Sequence, residues 1–240
     1  MAAVTKKSEL VAQAIVHDVV RRGLQPGDRL ASESEMMAEY DVGRPSLREA
    51  LRVLELNGLV TLKPGPGGGP VVEAVSPAVL GRMLTLYLHV SGATYRELVA
   101  TRLALEPTCA GLAATAATDA ERAALATLGS RAHGLDLDDD RVYRDMSREF
   151  HGAVASMSGN RILELLSHAL MEIFDAHIAR ATRDVDVRAA APHEHDDVIA
   201  AIAAGDAAAA EARMRRHMEH FAAVFATALP EMLDQTVRWE

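Results

Sequence analysis

Arginine at every fourth position from Arg44 to Arg52 constrains this chain more than any other feature. Residues four apart in a helix stack along one face, so Arg44, Arg48 and Arg52 set three guanidinium groups in a row. Leu47, Ala50, Leu51 and Leu54 fall on the other side at helical spacing, which anchors that side in a core and turns the arginines outward. Pro45 suits the first turn, where an N–H would be unpaired anyway, and Asn57-Gly58 supplies a helix end. A lone basic amphipathic helix is usually just a solvated surface helix. This one follows Ser32-Glu33-Ser34-Glu35, an S-x-x-E capping box that opens a short helix running through Met36, Met37 and Ala38 to Tyr40. Asp41-Val42-Gly43 then turns the chain. Two short helices so joined, the second carrying arginines near its start, form a helix-turn-helix whose second helix enters the DNA major groove.

After the arginine helix, Leu59 to Lys63 reads as a strand and Pro70 to Glu73 as a returning one. Between them Pro64-Gly65-Pro66-Gly67-Gly68-Gly69 makes a hairpin tip with almost no side chains, able to lie close to a phosphate backbone. The spacing therefore predicts a winged helix-turn-helix. A helix from Ser8 to Arg22, stopped by Gly23, backs it, Pro26-Gly27 is a turn, and Val75-Ser76-Pro77 marks a linker, with Ser76 as a cap. Arg44 and Arg48 are the candidate readers of base edges, with guanine O6 and N7 as their natural partners. Ser46 and the wing, through Lys63 and Gly65, are candidate backbone contacts, and Ser34 and Arg52 complete the candidate DNA-binding set.

At 240 residues the chain is long enough for two domains, placed at 1–75 and 76–240. A net charge of −9 argues against a protein coated in basic surface. The distribution restores the reading: up to Glu73 nine Lys or Arg face ten Asp or Glu, and the acidic excess lies downstream, where it would repel DNA. Cys109 is the only cysteine, which excludes an internal disulfide or a Cys-rich zinc module, and in an apolar run it reads as packing. The first ten residues lack the apolar core of a signal peptide and no long apolar span follows, so a cytoplasmic location is expected.

From Pro77 onward the pattern is helical, with helices expected at 77–91, 95–117, 119–133, 138–157, 161–183, 187–203 and 206–233. The fold class is mostly α: a winged helix-turn-helix with a small β-hairpin wing, then an antiparallel bundle of about seven helices. Of ten histidines, His151, His195 and His217 each lie on a different predicted helix beside apolar neighbours, so that they can converge inside the bundle. One such histidine alone is usually a packed core residue. Arg102 stands four before Glu106, which permits an ordinary intrahelical ion pair or, in a buried setting, a bidentate clamp on a carboxylate.

Leu24-Gln25-Pro26-Gly27-Asp28-Arg29-Leu30, Arg44 with Leu47-Arg48-Glu49-Ala50-Leu51, and Leu54 to Val60 resemble the DNA-binding domain of GntR-type bacterial transcription regulators. Downstream, Arg102 to Pro107, Phe150-His151 with Ser158-Gly159-Asn160, Glu194-His195, and Gly205-Asp206 with Met214-Arg215-Arg216-His217 resemble the FCD domain of the FadR branch. The resemblance implies a homodimeric, ligand-responsive regulator, a repressor by expectation and not an enzyme. It would bind a palindromic operator and respond to a small carboxylate effector. It also implies a divalent metal, zinc or nickel, on His151, His195 and His217, with an aspartate one turn before the first. Ser147 stands at that place, and Asp145, six before His151, is on another part of the helix. Arg102, Ser147, His151, His195 and His217 are the candidate effector-binding residues. Many relatives carry arginine where this chain has Ser34.

Two other readings stay open at this stage. His193-Glu194-His195-Asp196-Asp197 superficially resembles the ligand runs of metal-dependent hydrolases, though no H-E-x-x-H pair, phosphate loop or activated nucleophile accompanies it. The bundle can also serve dimerisation alone.

Overall fold

The structure, a computed structural model, describes residues 6–65, 68–74, 76–177 and 187–239. Pro66 and Gly67 of the expected wing tip, Val75 of the expected linker and residues 178–183 of the expected helix 161–183 lie outside the described residues. The chain divides into two compact units, Met1–Val79 and Leu80–Glu240.

The first unit packs α1 (Lys7–Arg22), α2 (Glu33–Glu39) and α3 (Arg44–Leu56) beside an antiparallel hairpin of β1 (Val60–Lys63) and β2 (Gly69–Val72), in the register Val60 to Val72 and Lys63 to Gly69. The apolar stripe of α3 closes the core: Leu47, Ala50, Leu51 and Leu54 are buried against Ile15 and Val19 of α1 and Met36 of α2. Tyr40 at the end of α2 donates to Asp18 of α1 at 2.8 Å, which ties the two short helices together. α2 starts where the capping box places it, with Ser32 Oγ accepting from the Glu35 N–H at 3.3 Å and Glu35 Oε2 accepting from the Ser32 N–H at 2.8 Å. Ser32→Ala is expected to cost about 1 kcal/mol, measured as a lower urea midpoint; an unchanged midpoint would mean the cap contributes nothing to α2.

Gly58 ends α3 with φ 71°, and a Cβ there would meet Val79 Cγ2 at 2.7 Å, so both backbone and space call for glycine. One feature escapes the sequence reading. Residues beyond the Pro26-Gly27 turn bond to the outer edge of β2, Leu30 N–H to Pro70 O at 3.0 Å and Val72 N–H to Asp28 O at 2.9 Å, which covers an edge a two-stranded wing would leave open.

The second unit holds α4 (Pro77–Ser91, from Leu80 on), α5 (Tyr95–Ala116), α6 (Asp119–Ala132), α7 (Asp140–Met157), α8 (Arg161–His177), α9 (Val187–Ala203), α10 (Ala207–Ala228) and α11 (Pro230–Leu233). Threonine boxes open α5 and α6, Thr94 with Glu97 and Thr118 with Glu121. The alanine runs let helices approach closely: Ala110, Ala113 and Ala114 of α5 and Ala210 of α10 are fully buried with Phe150, Val154, Ile202 and Met214. Cys109 is buried in the same core, in keeping with a packing role.

The expected helix 206–233 is broken. Pro230 has no N–H to donate and disfavours helical geometry at Leu229, which sits at φ −137°, so α10 ends at Ala228 and α11 begins anew. The tail after α11 then pairs with the start of α5, Tyr95 N–H to Gln235 O at 3.1 Å and Val237 N–H to Ala93 O at 2.8 Å.

Candidate functional site

On the first unit, Arg44, Arg48 and Arg52 are all solvent-exposed along α3, with Pro45 in its first turn. Arg48 is 65% exposed and its Nε lies 3.5 Å from Glu33 Oε2 of α2, a loose pair that a phosphate or base edge can replace. Ser46 is half-buried beside the arginines, and Lys63 and Gly65 are exposed at the wing end of β1. Ser34 is exposed but its Oγ lies 3.1 Å from Ser32 Oγ, within the capping cluster. Glu55 Oε1 accepts from the Leu62 N–H at 3.2 Å, which fixes the wing against α3; no spacing rule announces that bond.

On the second unit, α7, α9 and α10 bring His151, His195 and His217 together, all buried, with one ligand atom of each within 4.8 Å of the others. His217 Nδ1 contacts Glu194 Oε2 at 2.7 Å. His151 Nδ1 approaches Glu106 Oε2 at 2.5 Å, in an electrostatic contact rather than an aligned hydrogen bond. With each Nδ1 turned to a carboxylate, the tautomer assigned from these partners is Nδ1–H, which leaves both Nε2 lone pairs pointing inward. Those two Nε2 atoms are 3.4 Å apart. Two lone pairs facing across such a gap call for a cation between them, a shared proton or a metal ion. Two imidazoles on a tetrahedral zinc at about 2.0–2.1 Å each put their nitrogens about 3.3 Å apart. His195 stacks on Phe150 at 3.7 Å between centroids, and its Nε2 is buried without a hydrogen-bond partner.

The protonation pattern suits metal ligation. Burial, then the neighbouring His217 and His151, hold His195 well below 6.5. Burial also lowers His151, outweighing Glu106. Burial opposes the charge on Glu106, but Arg102 and His151 overcome it and hold the carboxyl at about 2. The outcome is a neutral His151 and His195 in a pocket backed by ionised carboxylates.

A cavity of about 30 Å³, measured as space open to the centre of a water molecule, adjoins the three histidines. One water needs roughly 10–15 Å³ on that measure. Arg102, Arg144, Ser147 and Phe174 also line it, so all five candidate effector residues share one pocket. Arg102 takes the intrahelical ion pair, its Nε 2.6 Å from Glu106, while its guanidinium lies over Phe174, 4.5 Å from the ring centre. Asp145 is exposed and pairs with Arg141 at 3.7 Å, so it does not replace the missing aspartate. His220, three residues after His217 and with its side chain 40% exposed, also contacts Glu194, at 2.6 Å.

The model of the family "Bacterial regulatory proteins, gntR family" matches residues 7–68, and the FCD domain model matches residues 97–220. The HTH-type transcriptional repressors NanR of Salmonella typhimurium and Salmonella typhi are 31% identical over 197 residues, 80% of this chain and 71% of theirs. This chain belongs to the GntR family. A Streptococcus agalactiae GntR structure superposes with a TM-score of 0.74 at 26% identity, covering 90% of this chain and 99% of that one. The GntR chain is thus a transcriptional regulator with a DNA-binding helix-turn-helix and an FCD ligand-binding domain, and not an enzyme. That removes the hydrolase alternative. The run that suggested it is split by the helix: Glu194 and His195 join the pocket, Asp197 lies 3.3 Å from Arg216, and His193 and Asp196 meet His133. None of the described helices is long and apolar enough to cross a membrane.

Sequence reasoning missed the carboxylates. Glu106 was read as a partner for Arg102 and part of the resemblance, and Glu194 as part of the resemblance and of the hydrolase-like run, neither as a support for a histidine. Glu194 had a signal in position, since it adjoins His195 in the chain.

Proposed function

We propose that this regulator represses transcription by binding a palindromic operator as a homodimer, releasing it when a small carboxylate enters the histidine pocket. Residues 1–75 serve as the DNA-binding domain and 76–240 as the effector-binding and dimerisation domain. Arg44 and Arg48 read base edges; Arg52, Ser34, Ser46, Lys63 and Gly65 approach the backbone. The relatives named as repressors support the direction of control.

The observation that carries the pocket reading is the pair of inward Nε2 atoms 3.4 Å apart with the unpartnered Nε2 of His195 beside them. His151, His195 and His217 would hold a zinc or nickel ion, which when bound supplies a Lewis-acidic anchor for an anion. The chain's own residues do the rest. Glu106 and Glu194 orient two of the imidazoles, Arg102 and Arg144 offer positive charge to a carboxylate, and Ser147 leaves an uncharged gap where an anionic side chain would compete with it. A cavity this small favours short hydroxy acids over fatty acids. By binding one state of the chain better than the other, the effector shifts operator occupancy.

The test is chelator competition for zinc with the purified chain. Wild type is expected to hold its tightest equivalent at least about 100-fold more strongly than His195→Ala, which loses a ligand rather than an outer partner. Equal retention by His195→Ala, with its fold intact by circular dichroism, would overturn the pocket reading.

A further inference from the structure

We propose that His133, His193 and Asp196 form a second binding site for a divalent transition metal such as zinc, on the surface seam between α6 and α9. His133 caps the end of α6, while His193 and Asp196 share one face of α9 at a spacing of three. Their ligand atoms all lie within 4.8 Å of one another. His133 Nε2 is 2.6 Å from Asp196 Oδ2, and the rings of His133 and His193 are 5.1 Å apart between centroids.

The seam is built to be this tight. Gly129 lies one turn before His133, and a Cβ there would meet Ile199 Cδ1 at 2.5 Å and Asp196 Oδ1 at 3.2 Å. Glycine lets α9 approach α6 closely enough for Asp196 to reach the histidine. A plain surface ion pair between His133 and Asp196 would need no third member. Yet His193 is brought to the same point, its ring 5.1 Å from that of His133.

Two imidazoles and one carboxylate are a donor set for zinc, nickel or copper, and the solvent side leaves positions for water. A bound ion would spread the 2.6 Å His133–Asp196 contact to about 3.3 Å, a small rotation for side chains that are 38% and 45% exposed. It would also tie α6 to the helix whose other side carries Glu194 and His195. This site stands apart from the buried pocket: it shares no ligand with it.

The experiment is a zinc titration of the chelator-stripped full-length protein, counting equivalents per chain at micromolar zinc. Wild type is expected to bind one equivalent more than His133→Gln/His193→Gln, whose exposed substitutions leave the fold unchanged by circular dichroism. The same zinc addition is expected to raise the thermal midpoint of His195→Ala but not of the variant carrying all three substitutions. If the buried pocket binds nothing, wild type binds one equivalent and the double variant none, so the two claims fail separately. An unchanged count in the double variant, or binding there only at millimolar zinc, overturns the proposal.

Discussion

Glu106→Leu is expected to lower the folding stability of the chain by about 3–5 kcal/mol, the largest effect of any single change considered. Glu106 and Arg102 are both buried, 2.6 Å apart, and Glu106 also faces His151 at 2.5 Å. Removing the carboxylate leaves a buried guanidinium without its paired anion, and Asp175 in the same pocket is already engaged by Arg148. The check is urea unfolding followed by circular dichroism, with Arg102→Leu/Glu106→Leu as the partner variant. The double variant is expected to regain much of the loss, because the unpaired charge is gone. A single variant as stable as wild type would show that the pair is not buried as described.

Acid should act on the same residues in metal-free protein, and the signs agree. His151 and His195 are held below 6.5, so below that pH the unfolded chain takes up protons that the folded core refuses. Glu106 is held at about 2 against an ordinary 4.5, so its contribution is complete above 4.5 and is lost as pH falls toward 2. The shift corresponds to about 3 kcal/mol. Stability should therefore decline in two stages, and Glu106→Leu should shrink the lower one, leaving the part carried by other carboxylates held below their ordinary range, such as Glu194 and Asp18.

Arg48→Ala is expected to weaken operator binding by about 1–3 kcal/mol, roughly five- to 150-fold, and to relax sequence preference. Arg48 is exposed on α3 and gives up only a loose 3.5 Å contact with Glu33 to meet DNA. A side chain that reads a base should lose discrimination as well as affinity; one that meets only phosphate should lose affinity alike on all sequences and flatten the salt dependence. Fluorescence anisotropy on an operator selected from random DNA, against a scrambled duplex, separates the two. Equal affinity of wild type for both duplexes would contradict sequence-specific reading altogether.

The DNA-reading half was legible because its signals are local. The four-residue arginine spacing, the Ser32–Glu35 box and the Gly-rich turn each act within one or two turns of chain, so the periodicity and the structure agree on α3 as Arg44–Leu56. Around Leu30 only the Pro26-Gly27 turn was legible, because the partner Pro70 lies forty residues on and no local pattern marks the pairing. The break at Leu229 was available in Pro230, but strong apolar periodicity on both sides masked it. In the pocket, the three histidines stood out by their places on separate helices beside apolar neighbours, but only the resemblance pointed to a metal, since each alone reads as core. Glu106 and Glu194 acquire their places from the packing of α5 against α7 and of α9 against α10, which one sequence does not display.

The most direct measurement is operator affinity of the zinc-loaded chain across a series of short hydroxy acids and sugar acids, for wild type and for His195→Ala. The account expects at least one acid to weaken operator binding by wild type about tenfold or more, a coupling of about 1.4 kcal/mol, with no such response in His195→Ala. A response of equal size in both proteins, or none in wild type to any acid of the series, would contradict it.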